Sequence, residues 1–130
     1  MDSASPCPSI LIVDDDAGLC LLIAVALKQA GFEAVLASSG KAALDLMAAA
    51  EFDGLYCAIE LAGQVDGWEV GTTFSFIWPD KPAVYASAIP TALPGRLRRG
   101  VFLRKPIAMD RLVRVFEAGA VAARAKRQLA

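Results

Sequence analysis

The sequence predicts an α/β domain built on a doubly wound, five-stranded parallel sheet with a shortened fourth helix. Three observations predict it. Short apolar runs alternate with longer helix-like segments along most of the chain. The short runs are continuously apolar, the pattern of strands covered on both faces. With 130 residues, 56% of them hydrophobic, the chain can bury a core as one domain without disulfides or metals.

The first strand is Ser9–Val13, a β-branched and leucine run that stops at three aspartates. Asp16 can cap a helix to about Ala30, with Leu19, Leu22, Ile23, Val25 and Leu27 as its apolar side and Gly31 as its C′ residue. Phe32–Leu36 reads as the second strand. A helix capped by Ser38, Ser39 and Gly40 then runs to about Ala50, with Ala42, Leu44, Leu46 and Met47 at loosely helical spacing. Asp53–Ile59 is the third strand and Gly67–Trp78 the third helix, closed by Pro79. Ala83–Ala86 and Val101–Leu103 complete the strands. Between them Pro90 and Pro94 leave room for only a short helix. The last helix runs from about Met109 to Arg124. The expected organisation is a tail at 1–7, a domain at 8–125 and a tail at 126–130, with no internal repeat or linker.

Composition narrows the chemistry. There is no histidine, which excludes a Ser-His-Asp triad, a Cys-His pair, an HExxH zinc site and a phosphohistidine within the chain. Ser38-Ser39-Gly40-Lys41 matches SxxK only formally, and residue 35 is Ala, so Gly40-Lys41 is no P-loop. The net charge is −1, but it is unevenly spread. Residues 1–80 carry twelve acids against Lys28 and Lys41, and residues 81–130 carry eleven bases against Asp110 and Glu117. Interleaving the halves should give an acidic end and a basic face. On the basic side Arg96, Arg98, Arg99 and Arg104 precede Arg111, Arg114, Arg124, Lys126 and Arg127. A solvated face or a docking face for an acidic protein fits better than nucleic acid, because no DNA-binding motif follows. Cys7, Cys20 and Cys57 are odd in number and form no CxxC, which suggests reduced thiols and a cytoplasmic setting. Residues 1–9 lack the features of a signal peptide. The longest apolar stretch, Ala17–Leu27, is too short to insert across a membrane.

In a doubly wound sheet, function gathers at the carboxyl ends of the strands. Here those ends carry Asp14-Asp15-Asp16, Ala58-Ile59-Glu60, Ser87 and Arg104-Lys105-Pro106. Four motifs in this order, Ile10-Leu11-Ile12-Val13-Asp14-Asp15-Asp16, Val65-Asp66-Gly67-Trp68-Glu69-Val70, Val84-Tyr85-Ala86-Ser87 and Phe102-Leu103-Arg104-Lys105-Pro106, resemble the receiver domain of two-component response regulators over about residues 8–122. The resemblance implies a flavodoxin-like sheet in the order 2-1-3-4-5, a signalling module rather than an enzyme, and a histidine kinase or other phosphorelay protein as partner. In that family an aspartate ending the third strand takes a phosphoryl group from a partner's histidine. By resemblance, Asp14 and Asp15 are Mg²⁺ ligands with Glu60 the nearest further carboxylate, Ser87 is the switch hydroxyl, Phe102 the aromatic that follows it, and Lys105 the phosphoryl-binding cation. Lys105-Pro106 resembles the family's cis bond.

At the acceptor position, five residues beyond Asp53, stands Ala58. The loop to Asp66 is one residue longer than usual, but a register slip offers only Cys57 or Ile59, and Glu60 lies two residues on. Two explanations follow: a pseudo-receiver that signals by protein–protein interaction without phosphorylation, or a phosphoaccepting receiver seen as an Asp-to-Ala variant. Mg²⁺ should bind more weakly without the third carboxylate, and a Lys105–Asp15 ion pair could replace it. On the third helix Val70, Phe74 and Ile77 form a core stripe that Phe76 and Trp78 do not join, so these two aromatics are candidates for a partner or homodimer surface. The chain is expected to stand alone, with any output passing through binding.

Overall fold

A computed structural model describes residues 7–129; residues 1–6 of the expected N-terminal tail, and Ala130, lie outside the described residues. The chain runs β1 (Ser9–Val13), α1 (Ala17–Gln29), β2 (Glu33–Ala37), α2 (Gly40–Ala49), β3 (Gly54–Ala58), α3 (Gly67–Ile77), β4 (Ala83–Ser87), a 3-10 turn (Gly95–Leu97), β5 (Val101–Arg104) and α4 (Met109–Leu129). The strands form one sheet in the order β2-β1-β3-β4-β5, with every pairing parallel. This is the expected doubly wound architecture.

The continuous apolarity of the strands has the expected cause. Every residue of β3 and β4 is buried. Leu11, Val13, Leu55, Cys57 and Tyr85 face α2 and α3, whereas Ile10, Ile12, Tyr56, Val84 and Ala86 pack beneath α1 and α4. The caps are also where the residue types put them. Asp16, Ser39 and Asp66 accept hydrogen bonds from the backbone N–H groups of Leu19, Ala42 and Glu69 at 3.0, 3.1 and 2.9 Å. Gly31 follows α1 with φ +95°, a conformation that glycine adopts without steric cost.

Several local expectations needed the third dimension. Leu22 and Val25 are 63% and 54% exposed, not core. The buried side of α1 is Cys20, Ile23, Ala24 and Leu27, the i, i+3, i+4, i+7 set, and a helix apolar all round can bury only one side here. Ile77 is likewise exposed at the end of α3, where the helix leaves the sheet. Trp78 instead turns inward, packing edge-on against Phe52 and tilted against Phe74 with ring centroids 6.1 and 5.1 Å apart. The expected short fourth helix is a single 3-10 turn that seats Leu97 in the core. The last helix continues to Leu129, five residues past its expected end, so residues 126–129 are helical rather than a tail.

Candidate functional site

Parallel pairing in register brings four strand exits side by side. Val13 lies opposite Cys57, Ala58 opposite Ala86, and Ser87 opposite Arg104. Asp14, Ala58, Ser87 and Lys105, which are far apart in sequence, therefore share one rim. Lys105 is followed by a cis peptide bond to Pro106.

Asp14 is the centre of this rim and is 1% exposed. Its Oδ2 accepts from Lys105 Nζ at 3.0 Å and from the Tyr56 hydroxyl at 2.9 Å. Its Oδ1 accepts from the backbone N–H of Asp16 at 3.0 Å. A buried carboxylate is tolerated only when its charge is matched and its lone pairs are used, and Asp14 meets both conditions. The cation expected on Asp15 is on Asp14 instead. Successive residues leaving a strand point opposite ways, and Asp14 takes the inward direction. Asp15 lies outside, exposed, and accepts from the backbone N–H of Ala62 at 3.2 Å.

Tyr56 was not among the residues singled out from the sequence. Its ring is fully buried in β3, and burial together with the Asp14 charge pushes its phenol pKa well above the ordinary value. It is a neutral donor at all working pH values. The available signal was the residue type: a tyrosine in an otherwise apolar buried strand needs a partner for its hydroxyl.

Ser87 is fully buried. Its Oγ lies 2.9 and 3.0 Å from the two carboxylate oxygens of Glu60 and accepts from the backbone N–H of Ile89 at 3.0 Å. The hydroxyl proton is thus donated to Glu60. Phe102, on β5 next to Tyr85, is half-buried. Between these groups Ala58 ends β3 with 1% exposure and offers a methyl group. The backbone there is tightly enclosed: a Cβ on Gly67 would collide with the Ala58 carbonyl oxygen. Cys57 faces away from the rim into the α2/α3 core, and burial pushes its thiol pKa far up, so it is no alternative nucleophile.

The carboxylates do not fit a divalent cation as they stand. Mg²⁺ needs near-octahedral oxygen donors. Both oxygens of Asp14 carry protein donors and both oxygens of Glu60 lie against Ser87. No three acids come together as a metal-holding group among the described residues. Of the two aromatics on α3, Phe76 is 88% exposed, whereas Trp78 is packed as described above.

The family model for the response regulator receiver domain matches residues 10–117. The transcriptional regulatory protein ZraR of Klebsiella oxytoca is 32% identical over 108 residues, covering 79% of this chain and 24% of that protein. The chain therefore spans about a quarter of the curated relatives it matches. Among solved structures, a response regulator receiver protein from Sinorhizobium medicae is 29% identical with a TM-score of 0.77, covering 87% of this chain and 94% of that one. The signal receiver domain of an HD domain-containing protein from Pseudomonas fluorescens, at 19% identity, shares the fold with a TM-score of 0.81 over 98% of this chain and 97% of that one.

Proposed function

The chain belongs to the response regulator receiver domain family, and from that premise we propose that it is a pseudo-receiver, signalling through protein–protein contacts without phosphorylation at the third strand. One observation carries the reading: every polar side chain at the centre of the rim already has an internal partner, and the strand end offers no nucleophile. Lys105 and Tyr56 are committed to Asp14, Ser87 is committed to Glu60, and Ala58 has nothing to attack with.

The Glu60 carboxylate supplies Ser87 with anionic oxygens of the kind that a phosphoryl group would bring. The hydroxyl is therefore held inward by the chain itself, and Ser87 with Phe102 keeps a state that a partner, not a phosphate, must alter. Tyr56 and Glu60 also favour this reading over an Asp-to-Ala variant of a phosphoaccepting receiver. A single change at 58 would put neither a phenol on Asp14 nor a carboxylate on Ser87. Receiver domains usually hold Mg²⁺ in this acidic pocket; in this chain the ion would have to displace Lys105 and Tyr56, so binding should be weak.

The partner we propose is a histidine kinase or another phosphorelay protein, met in the cytoplasm, a setting that the buried thiols Cys20 and Cys57 support. The contact surface would centre on the exposed ring of Phe76, near the end of α3, with a second copy of the chain as the alternative occupant. Loss of partner binding and of self-association in Phe76→Glu is the expected result, and unchanged binding in both assays removes that surface. The central test is chemical. The chain is incubated with acetyl phosphate and Mg²⁺ and analysed by intact mass, alongside Ala58→Asp. No phosphoryl adduct on the chain is expected, and none or little on Ala58→Asp because Lys105 and Ser87 are already engaged. A stoichiometric adduct on the unaltered chain would end the proposal, and full phosphorylation of Ala58→Asp would favour the variant reading.

A further inference from the structure

The opposite end of the sheet holds a feature that the rim does not explain. A cavity of about 390 Å³ opens where the amino ends of the strands meet the second half of α4. Ile10, Phe32 and Phe116 lie buried beneath it, and Pro8, Ala120 and Ala123 give it half-buried apolar walls. The helix wall over it is made of small residues, Gly119, Ala120 and Ala123 among them. Gly119 has to be small, because a Cβ there would approach the Pro82 ring to 2.6 Å. The small side chains beside it leave the hollow open as a surface cleft.

The mouth of this cavity is basic, and its acids are spoken for. Asp53 receives Lys81 Nζ at 3.3 Å on one oxygen and the Ser9 N–H at 2.8 Å on the other. Asp80 pairs with Lys126 at 3.2 Å. Arg99, Arg124 and Arg127 also line the cavity, and none of them makes an ion pair among the described residues. A second, smaller hollow of about 140 Å³ adjoins the first, sharing Lys81 and Arg99 and adding Arg96. No acid lines it. The combination is an apolar slot of small-molecule size beside a cationic notch, with two cations on the boundary between them.

We propose that this base of the sheet binds a small organic phosphate with an aromatic or apolar body. The body lies against Pro8, Ala120 and Ala123, above the buried rings of Phe32 and Phe116, and the phosphate sits between Arg99, Lys81 and Arg96. Guanidinium groups suit phosphate oxygens by their planar, forked donors. A merely solvated basic face would not need the apolar lining, and a nucleic-acid surface would be a longer stripe with exposed stacking aromatics. The site is independent of the pseudo-receiver reading, because it shares no residue with the rim.

The test uses the whole chain and adenosine monophosphate as the probe, with binding followed by calorimetry and by amide chemical shifts. Saturable binding with a Kd below about 1 mM is expected, with adenosine or inorganic phosphate alone at least about tenfold weaker. The shifts should cluster on Phe32, Arg99 and residues 116–124. Arg99→Glu should weaken binding about tenfold or more, the loss of one charged contact and its reversal. Ala123→Trp, which fills the slot, should abolish it. A thermal midpoint close to that of the unaltered chain shows that each variant is folded; should Ala123→Trp unfold, the exposed Arg99 position decides alone. The proposal fails if binding does not saturate by about 10 mM, if inorganic phosphate binds as well as the nucleotide, if Arg99→Glu binds equally well, or if the shifts fall on Asp15, Ser87 and Lys105 instead.

Discussion

At the carboxyl end of the sheet, Asp14 is buried with three donors on its two oxygens and Ser87 is bonded on both its proton and its lone pair. At the amino end, three arginines without acidic partners among the described residues line an open cleft. Both ends are made by the same five strands. The difference lies in whether the chain supplies the counter-groups itself. A rim whose central groups are satisfied internally has little left to offer a phosphoryl group or a cation, whereas a base with surplus charge beside an apolar cleft has bonding capacity left for a ligand.

Substitutions should therefore be costly at the rim and cheap at the base. The largest effect is expected for Lys105→Met, which leaves Asp14 buried with no cation. Urea denaturation should show a loss of about 3 kcal/mol, and adding Asp14→Asn should recover much of it, because the cost comes from the uncompensated charge. Recovery absent in the double variant would mean that Lys105 matters mainly through packing. Next, Tyr56→Phe should cost about 1–2 kcal/mol by removing one donor from the buried carboxylate. The same variant, titrated with Mg²⁺ while tryptophan fluorescence is followed, should bind the ion more tightly than the unaltered chain; weaker binding would show that the phenol does not compete with metal.

A smaller effect concerns pH. Burial and the neighbouring Asp14 and Asp16 charges push the Cys20 thiol from 9.0 up to about 11. In that window the folded chain keeps a proton that the unfolded chain has lost, so the unfolded state binds fewer protons and stability falls as pH rises. Unfolding midpoints measured from about pH 9 to 11 should decline less steeply in Cys20→Ala. An identical slope would remove Cys20 from the account. The smallest effect is expected at the base, where Ala123→Leu should change stability by no more than about 0.5 kcal/mol, since room already exists for the added carbons. A loss of several times that size would show the cavity to be tighter than its volume indicates.

Much of this was legible beforehand, for identifiable reasons. Ser9–Val13, and Gly54–Ala58 within the expected Asp53–Ile59, were legible as two-sided strands because a short unbroken apolar run suits burial on both faces. Asp16 and Ser39 announced their helices through the hydrogen bonds that their side chains make locally. The rim residues were legible because strand ends converge in this architecture. Leu22, Val25 and Ile77 misled, since apolar residues stand on both sides of those helices and only the sheet decides which side is covered. Trp78 misled for the same reason: its partner Phe52 comes from another part of the chain.

The sequence by itself determined the order of strands and helices, the receiver resemblance, the alanine at position 58 and the separation of acidic and basic halves. Those properties depend on residue type, local hydrogen bonding and periodicity, all of which are one-dimensional. Only the tertiary structure decided that Lys105 pairs with Asp14 and not Asp15, that Tyr56 joins them, that Glu60 holds Ser87, and that the basic residues frame a cavity. Each of these depends on which way a side chain points when distant strand ends meet, and that direction is set by parallel register and packing rather than by neighbours in the chain.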